Sequence, residues 1–357
     1  MSNKNGIVLL TLLSVVSILI LNTCGKNAAG SEPEPVYSMS ALHTEGRWIK
    51  NDQGEKVLLR GVNIPGLEWD SNESHVWQSF IIAVEEWGCN LIRLPLSQDR
   101  WYGYGSEQND AGVRYRGLVD QLVSRSLEEE VYLWLDLHWN NAGHWGEYIG
   151  QHMMPDSLSL EFWKDVAHKY KNHPAVLFGL YNEPHDISWE IWKDGGTVEE
   201  YFDRNGPGVD LTYRAVGHQE MADEIRALGA KNLIIAAGLD WGFDLSGILR
   251  GYALEGENIV YDTHPYPWKD THWDYRWGTP GDSLALIVGE WGGSEEHESY
   301  FMRLRQYMRD HRFSWAAWCL HADAGPQMIA DWSYTPTYFG AIAKMELTVD
   351  IDMNTDN

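Results

Sequence analysis

A chain of 357 residues, 44% hydrophobic and 22% charged, has ordinary globular composition and room for one large α/β barrel or two small domains. Its formal net charge of −25 (27 basic, 52 acidic residues) repels nucleic acid and anionic lipid headgroups and disfavours an acidic polysaccharide, but is compatible with a neutral substrate. Three cysteines, Cys24, Cys89 and Cys319, are too few for a disulfide framework, and no CxxC or Cys/His cluster points to zinc.

The N-terminus carries Lys4 and then a mostly apolar run, Ile7–Leu21. That run is shorter than the ~20 residues a spanning helix needs and suits the central region of a signal peptide. Leu21-Asn22-Thr23-Cys24-Gly25 follows, and it resembles a bacterial lipoprotein cleavage box in which Cys24 is lipidated. Without lipidation the same stretch is an ordinary secretory leader. Residues 1–23 are therefore expected to be a lipoprotein-type signal peptide and 24–40 a polar linker, with Ser31-Glu32-Pro33-Glu34-Pro35 as a tether. Either way the mature chain is exported, secreted or lipid-anchored at the cell envelope.

Arg47–Lys50 and Lys56–Leu59 flank Asn51-Asp52-Gln53-Gly54-Glu55, a hairpin signal. Short apolar runs then alternate with amphipathic stretches. The strand candidates are Leu58–Asn63, Asn90–Leu94, Val131–His138, Ala175–Asn182, Asn232–Ala237, Asn258–His264, Leu284–Glu290 and Ser314–Cys319. Helical patterns cover His75–Trp87, Leu118–Glu129, Leu160–Lys171, Tyr213–Leu228, Glu298–Arg309 and Thr337–Met345, with a loop rather than a helix over Tyr266–Asp282. Eight strands alternating with helices, with no internal repeat, predict an α/β fold: a single (β/α)8 TIM barrel over 41–348, preceded by the hairpin. No glycine-rich phosphate loop follows the first strand, which argues against an open doubly wound sheet. Residues 349–357 read as an acidic disordered tail.

In such a barrel the active site lies at the C-terminal strand ends. Those ends carry Asn63, Arg93, His138 with Trp139, Asn182 with Glu183, Trp241 just beyond the fifth strand, His264 with Tyr266, Glu290, and Trp318. Glu183 follows an apolar run and precedes Pro184, which lacks a ladder N–H and stops the strand. Two glutamates at strand ends far apart in sequence are what a two-carboxylate glycosidase requires. Nineteen Trp and 18 Tyr against 8 Phe fit a sugar cleft, since their flat apolar faces match the C–H face of a sugar ring. Trp69, Trp139, Trp241 and Trp268 are the candidate platforms. His144, His152, His185 and His321 are loop histidines without an assigned role. The spacing of His138, His144 and His152 fits no standard metal-ligand motif.

From about Leu42 to Leu347 the chain resembles glycoside hydrolase family 5, retaining β-glycanases that include many cellulases. The resemblance rests on Leu59-Arg60-Gly61-Val62-Asn63, Asn90-Leu91-Ile92-Arg93-Leu94-Pro95, Leu135-Asp136-Leu137-His138-Trp139 and Leu180-Tyr181-Asn182-Glu183-Pro184. It continues in His264-Pro265-Tyr266, Gly289-Glu290-Trp291-Gly292 and Trp315-Ala316-Ala317-Trp318. Cys319 stands where relatives often carry Ser. The resemblance implies Glu183 as general acid/base and Glu290 as nucleophile, with Arg93 and Tyr266 beside Glu290. It also implies Asn182 on the sugar 2-hydroxyl, His138 and His264 on sugar or carboxylates, and Trp318 under the sugar being cleaved. Two close carboxyls cannot both ionise easily, so one is expected to keep its proton, Glu183, while Glu290 is bare.

The expected activity is endo-acting hydrolysis of a neutral β-1,4-glucan with retention, by a monomer with no cofactor and no metal. Its only membrane link would be the lipid anchor, and it would bind no nucleic acid. Another β-glycan (mannan, xyloglucan, mixed-linkage or β-1,3-glucan) would suit the same machinery, the choice lying in loops Asn140–Asp156, Asp186–Pro207 and Tyr266–Asp282. A non-catalytic glycan-binding lipoprotein would be free to lose one glutamate, and both are present.

Overall fold

The computed structural model describes residues 39–144, 150–202 and 208–354. The expected signal peptide, Cys24 and all but the last two residues of the expected linker lie outside that range, as do residues 355–357. The described chain opens with β1 (His43–Glu45) antiparallel to β2 (Trp48–Lys50). The turn between them is made at Gly46, whose φ of +59° is in the left-handed region. The expected hairpin begins to pair at its turn: beyond Asn51–Glu55, Lys50 and Lys56 form an antiparallel bridge and Val57 N–H donates to Ile49 O at 2.9 Å. Asn51 Oδ1 accepts the N–H of Gln53 and of Glu55 (3.1 and 2.8 Å), which closes that turn on itself.

The strands that follow are β3 (Arg60–Asn63), β4 (Leu91–Ser97), β5 (Tyr132–Trp139) and β6 (Val176–Gly179). After an antiparallel excursion, β7 (Gly196–Phe202) with β8 (Val209–Ala215), come β9 (Ile234–Ala237), β10 (Ile259–Thr263), β11 (Leu286–Val288) and β12 (Ser314–Ala317). Strands β3–β6 and β9–β12 are parallel and close into one barrel, with β12 pairing back onto β3. Helices α1 (Val76–Glu85), α2 (Gln98–Tyr102), α3 (Val113–Glu128), α4 (Ser157–Tyr170) and α5 (Trp189–Asp194) accompany the first half. Helices α6 (His218–Ala227), α7 (Thr279–Ser283), α8 (Glu298–His311) and α9 (Tyr338–Leu347) accompany the second. All eight expected barrel strands are present, and this is a (β/α)8 barrel.

Strands covered on both faces read as near-continuous apolar runs. One face of each builds the layer under the helices, where Ile92, Leu133 and Phe178 meet Phe80, Trp163 and Ile225. The other fills the barrel's N-terminal end, where Leu91, Leu177, Ile235 and Ile287 pack with Leu42 and Ile49. The β1–β2 ribbon thus plugs the end opposite the site.

Three expectations differ. Tyr213–Ala215 is the end of β8, not the start of a helix; α6 begins only after Gly217, where Val216 N has already bonded Pro155 O at 2.9 Å. The 266–282 segment is helical from Asp274 through α7, because Trp273 and Trp277 are buried against Tyr307 and the segment is anchored by rings rather than by a periodic aliphatic stripe. The expected free tail is tied down as far as it is described: Arg60 Nη1 donates to Val349 O (2.6 Å) and Arg312 Nε to Asp352 O (3.0 Å).

Candidate active site

Most of the chemistry sits just past the regular strand ends. β6 stops at Gly179 and β11 at Val288, so Asn182, Glu183 and Glu290 are carried on the first residues of the loops. Arg93, fully buried on β4, is the hub. Its Nη1 donates to Asn63 Oδ1 (2.8 Å) and Glu290 Oε1 (2.7 Å). Its Nη2 donates to Asn182 Oδ1 (2.6 Å) and pairs with Asp136 Oδ2 (3.0 Å). Burial opposes that charge, but Asp136, Glu290 and Asp262 outweigh it and hold the guanidinium firmly protonated. Tyr266 Oη donates to Glu290 Oε2 (2.8 Å), so each carboxylate oxygen of Glu290 has a donor.

His264 lies between carboxylates, with Nδ1 2.9 Å from Glu183 Oε1 and Nε2 3.0 Å from Asp262 Oδ2. Both ring nitrogens therefore act as donors, which is the imidazolium form. Burial pulls its pKa down, but Glu290, Asp262 and Glu183 push it up to about 10. Asp262 has a second task, accepting Gly289 N–H on Oδ1 at 2.7 Å. A Cβ at Gly289 would stand 2.3 Å from that oxygen, so this position requires glycine.

This imidazolium reverses the expected ionisation of the free site. Burial raises Glu183, but the hydrogen bond and charge of His264 prevail and hold it below the usual glutamate value. Burial likewise raises Glu290, and there the pull of His264 and Arg93 does not fully offset it and the charge of Glu183. The proton expected on Glu183 sits one hydrogen bond away, on His264. One oxygen of Glu183, one nitrogen of His264 and one oxygen of Glu290 all lie within 4.8 Å of one another. Three such atoms are also ligand types for a cation, but the guanidinium of Arg93 already fills that role at Glu290.

His138 is fixed through Nδ1 to Asp136 Oδ2 (2.8 Å), and its Nε2 accepts from Asn182 Nδ2 (3.3 Å). Its ring stacks on Trp318, with centroids 5.4 Å apart and 11° between planes. From there aromatic rings run outward in two wings. One passes Trp139, Trp69 and His321 to Trp332, which stacks on His75 at 3.9 Å. The other holds Trp241, stacked on His185 at 3.5 Å, and Trp268, stacked on Tyr266 at 4.5 Å. Glu183, Trp241, Tyr266, Trp268 and Lys269 line an open cleft of about 380 Å³. Trp268 is 62% exposed, whereas Trp139 is 4% exposed and so forms part of the floor rather than an open platform.

All the expected strand-end residues thus converge. His144 lies outside this hydrogen-bonded centre, and His152 serves another network described below. Sequence reasoning missed Asp136, Asp262, Gln151 and Trp332. The first two carried a signal: Asp136-x-His138 and Asp262-x-His264 repeat one spacing, and a period of two puts both members on one face of a strand.

A family model described as cellulase (glycosyl hydrolase family 5) matches residues 50–324. The chain is 25% identical over 343 residues to an endoglucanase of Paenibacillus polymyxa, covering 82% of this chain and 83% of that one. It is 24% identical over 277 residues to endoglucanase A of Butyrivibrio fibrisolvens, covering 73% of this chain and 56% of that protein's length. Among solved structures, a β-glucanase from Saccharophagus degradans superposes with a TM-score of 0.69 at 26% identity, over 88% of this chain and 97% of that one. The same β-glucanase in complex with cellotetraose gives 0.68.

Proposed function

The chain belongs to glycosyl hydrolase family 5, and from that premise we propose that Glu183 and Glu290 hydrolyse a β-1,4-glucan internally by double displacement. The observation that carries this reading is the spacing of the pair, with oxygens within 4.8 Å. Retaining enzymes hold their carboxyls about 5–5.5 Å apart, whereas inverting ones need about 6.5–9.5 Å to admit a water. The similar β-glucanase binds cellotetraose, and the similar curated proteins are endoglucanases, which supports a glucan substrate. An open cleft with aromatic rings on both sides of the carboxylates suits a long chain threaded through the site rather than one terminal sugar.

Glu290 attacks the anomeric carbon, with Arg93 and Tyr266 spreading its charge in the ground state and releasing it as the bond forms. Glu183 enters as a carboxylate paired with the His264 imidazolium. Once sugar displaces water from the cleft, a separated buried ion pair becomes unfavourable. The Nδ1 proton then passes along the 2.9 Å hydrogen bond to Glu183 Oε1, making the acid that protonates the leaving oxygen. In the second half Glu183 takes a proton from water, which attacks the glycosyl–Glu290 ester and restores the anomeric configuration. Asn182 meets the 2-hydroxyl, a contact that strengthens in the oxocarbenium-like transition state.

The test is Glu183→Gln and Glu290→Gln on soluble β-glucans, with the product anomer followed by NMR. Turnover should fall by ~10³-fold or more in both, while cello-oligosaccharide binding persists. An inverted anomer, or wild-type turnover in either variant, refutes the assignment. A parallel panel with mannan, xyloglucan and β-1,3-glucan fixes the backbone sugar and linkage. The apolar run Ile7–Leu21 and the following Cys24 support a site of action outside the cytoplasm. No helix among the described residues is long and apolar enough to cross a membrane; in this reading attachment is through a lipid on Cys24. Cys24→Ser should then move the protein from the detergent phase to the soluble fraction.

A further inference from the structure

We infer that Gln151 is a positioning residue for Asn182 and Glu183, and that the β7–β8 hairpin exists to hold it there. The inference rests on the reading of those two residues given above. Gln151 is 3% exposed and uses both ends of its amide in the catalytic centre. Its Nε2 donates to the backbone oxygen of Glu183 at 2.8 Å, and its Oε1 accepts from Asn182 Nδ2 at 3.0 Å. One side chain therefore ties the amide of one residue to the peptide of the next, across the turn that aims the carboxyl of Glu183. Because Asn182 Oδ1 is committed to Arg93 (2.6 Å), its N–H groups must face Gln151 and His138. Gln151 fixes one N–H of that amide; the other, at a long 3.3 Å from His138 Nε2, is the one that can turn to the 2-hydroxyl, and without the Gln151 acceptor the whole amide is free to tilt.

Gln151 is held from the far side. The next residue, His152, accepts from Asn141 Nδ2 on Nε2 (2.7 Å), which leaves its Nδ1–H facing Glu200 Oε1 on β7. Glu200 Oε2 accepts Met153 N (2.9 Å), and Tyr213 Oη on β8 accepts Met154 N (3.0 Å). On the barrel side Tyr181 Oη donates to His152 O (2.7 Å), and Asn140 Oδ1 accepts His152 N (3.0 Å). The segment 152–154 is thus clamped between hairpin and barrel. Burial pushes Glu200 up, but the hydrogen bonds of His152 and Met153 hold it ionised, below the usual glutamate value. A two-stranded ribbon is marginal by itself. This one is docked by a buried carboxylate on the loop carrying Gln151 and by Val198 and Ala215 against Met154.

The test uses the full-length enzyme with cellotetraose and an aryl β-cellobioside. Gln151→Ala should lower kcat ~10- to 100-fold with KM within ~2-fold of wild type, since a displacement of about 1 Å at a reacting group costs that much. Combined with Asn182→Ala it should cost clearly less than the sum of the two single losses, the remainder being the part that acts through the Glu183 backbone. Glu200→Ala should lower kcat in wild type but not further in a Gln151→Ala background. Glu200→Gln, which keeps the acceptor for Met153 N, should recover part of the loss. Melting temperatures of all variants report folding separately. Wild-type kcat for Gln151→Ala, or fully additive losses with Asn182→Ala, overturns the inference. Inactive Glu183→Gln and Glu290→Gln alongside a fully active Gln151→Ala would leave the functional reading standing while this one falls.

Discussion

Arg93→Lys preserves the charge at the hub and removes its fork. The guanidinium reaches four acceptors from two nitrogens: Asn63 Oδ1, Glu290 Oε1, Asn182 Oδ1 and Asp136 Oδ2, at 2.6–3.0 Å. A lysine ammonium is one nitrogen on a shorter reach and cannot bridge both pairs. At least two buried acceptors then lose a donor, each costing ~1–3 kcal/mol. The expected loss is ~2–6 kcal/mol, a large share of the ~5–15 kcal/mol that holds a typical domain folded. Function should suffer in a way that stability does not report. Lysine keeps a positive charge near Glu290 but loses the 2.7 Å hydrogen bond to its Oε1, so burial weighs more heavily there and its pKa rises further. In the proposed mechanism Glu290 attacks as a carboxylate, so the acid limb of kcat/KM moves to higher pH. Urea unfolding at neutral pH and a pH–rate profile on cello-oligosaccharide measure the two effects. Stability within ~0.5 kcal/mol of wild type together with an unmoved acid limb refutes the reasoning.

Three other outcomes follow from the geometry. His264→Gln removes the group that holds the acid proton up to about 10. The proton must then reside on Glu183, so the basic limb of kcat/KM should shift to lower pH; a basic limb that stays put excludes His264 as the proton's resting place. Trp332→Ala should raise KM on long-chain β-glucan ~2- to 10-fold, the worth of one aromatic contact, and leave the turnover of an aryl cellobioside unchanged. An equal loss on both substrates would show that Trp332 supports the fold instead. His218, buried with Nδ1 2.9 Å from Trp192 O, has its pKa lowered by burial to about 4. The unfolded chain takes up that proton first, so stability is full above about pH 6.5 and falls toward pH 4, by up to ~3 kcal/mol. Urea titrations at pH 7 and pH 4 should show this part of the difference vanish in His218→Asn.

The barrel was legible because each of its strands is an apolar run ending in a chemically committed residue. Glu183 before Pro184 and Glu290 before Trp291-Gly292 announce themselves where a core strand stops. Asp136 and Asp262 did not, because an acid inside an apolar run reads as an exception until its neighbours across the barrel are known. The supporting loops failed for a different reason. Tyr213 looks like the start of a helical stripe, yet its partner is Val198 on another strand, a pairing that local periodicity does not encode. Trp273 and Trp277 looked like loop aromatics because what makes their segment helical is Tyr307 on α8. Gln151 had no signal at all: its meaning comes only from two atoms 31 and 32 positions away. The ionisation of the carboxyl pair was not legible because, although His264 was expected beside the carboxylates, its charge depends on Asp262 on its other side.

Asp262 grips the ring of His264 with one oxygen and the peptide before Glu290 with the other. His264 and Glu290 therefore share one anchor across two neighbouring strands, and drawing them apart along the barrel wall means breaking a buried hydrogen bond of Asp262 first.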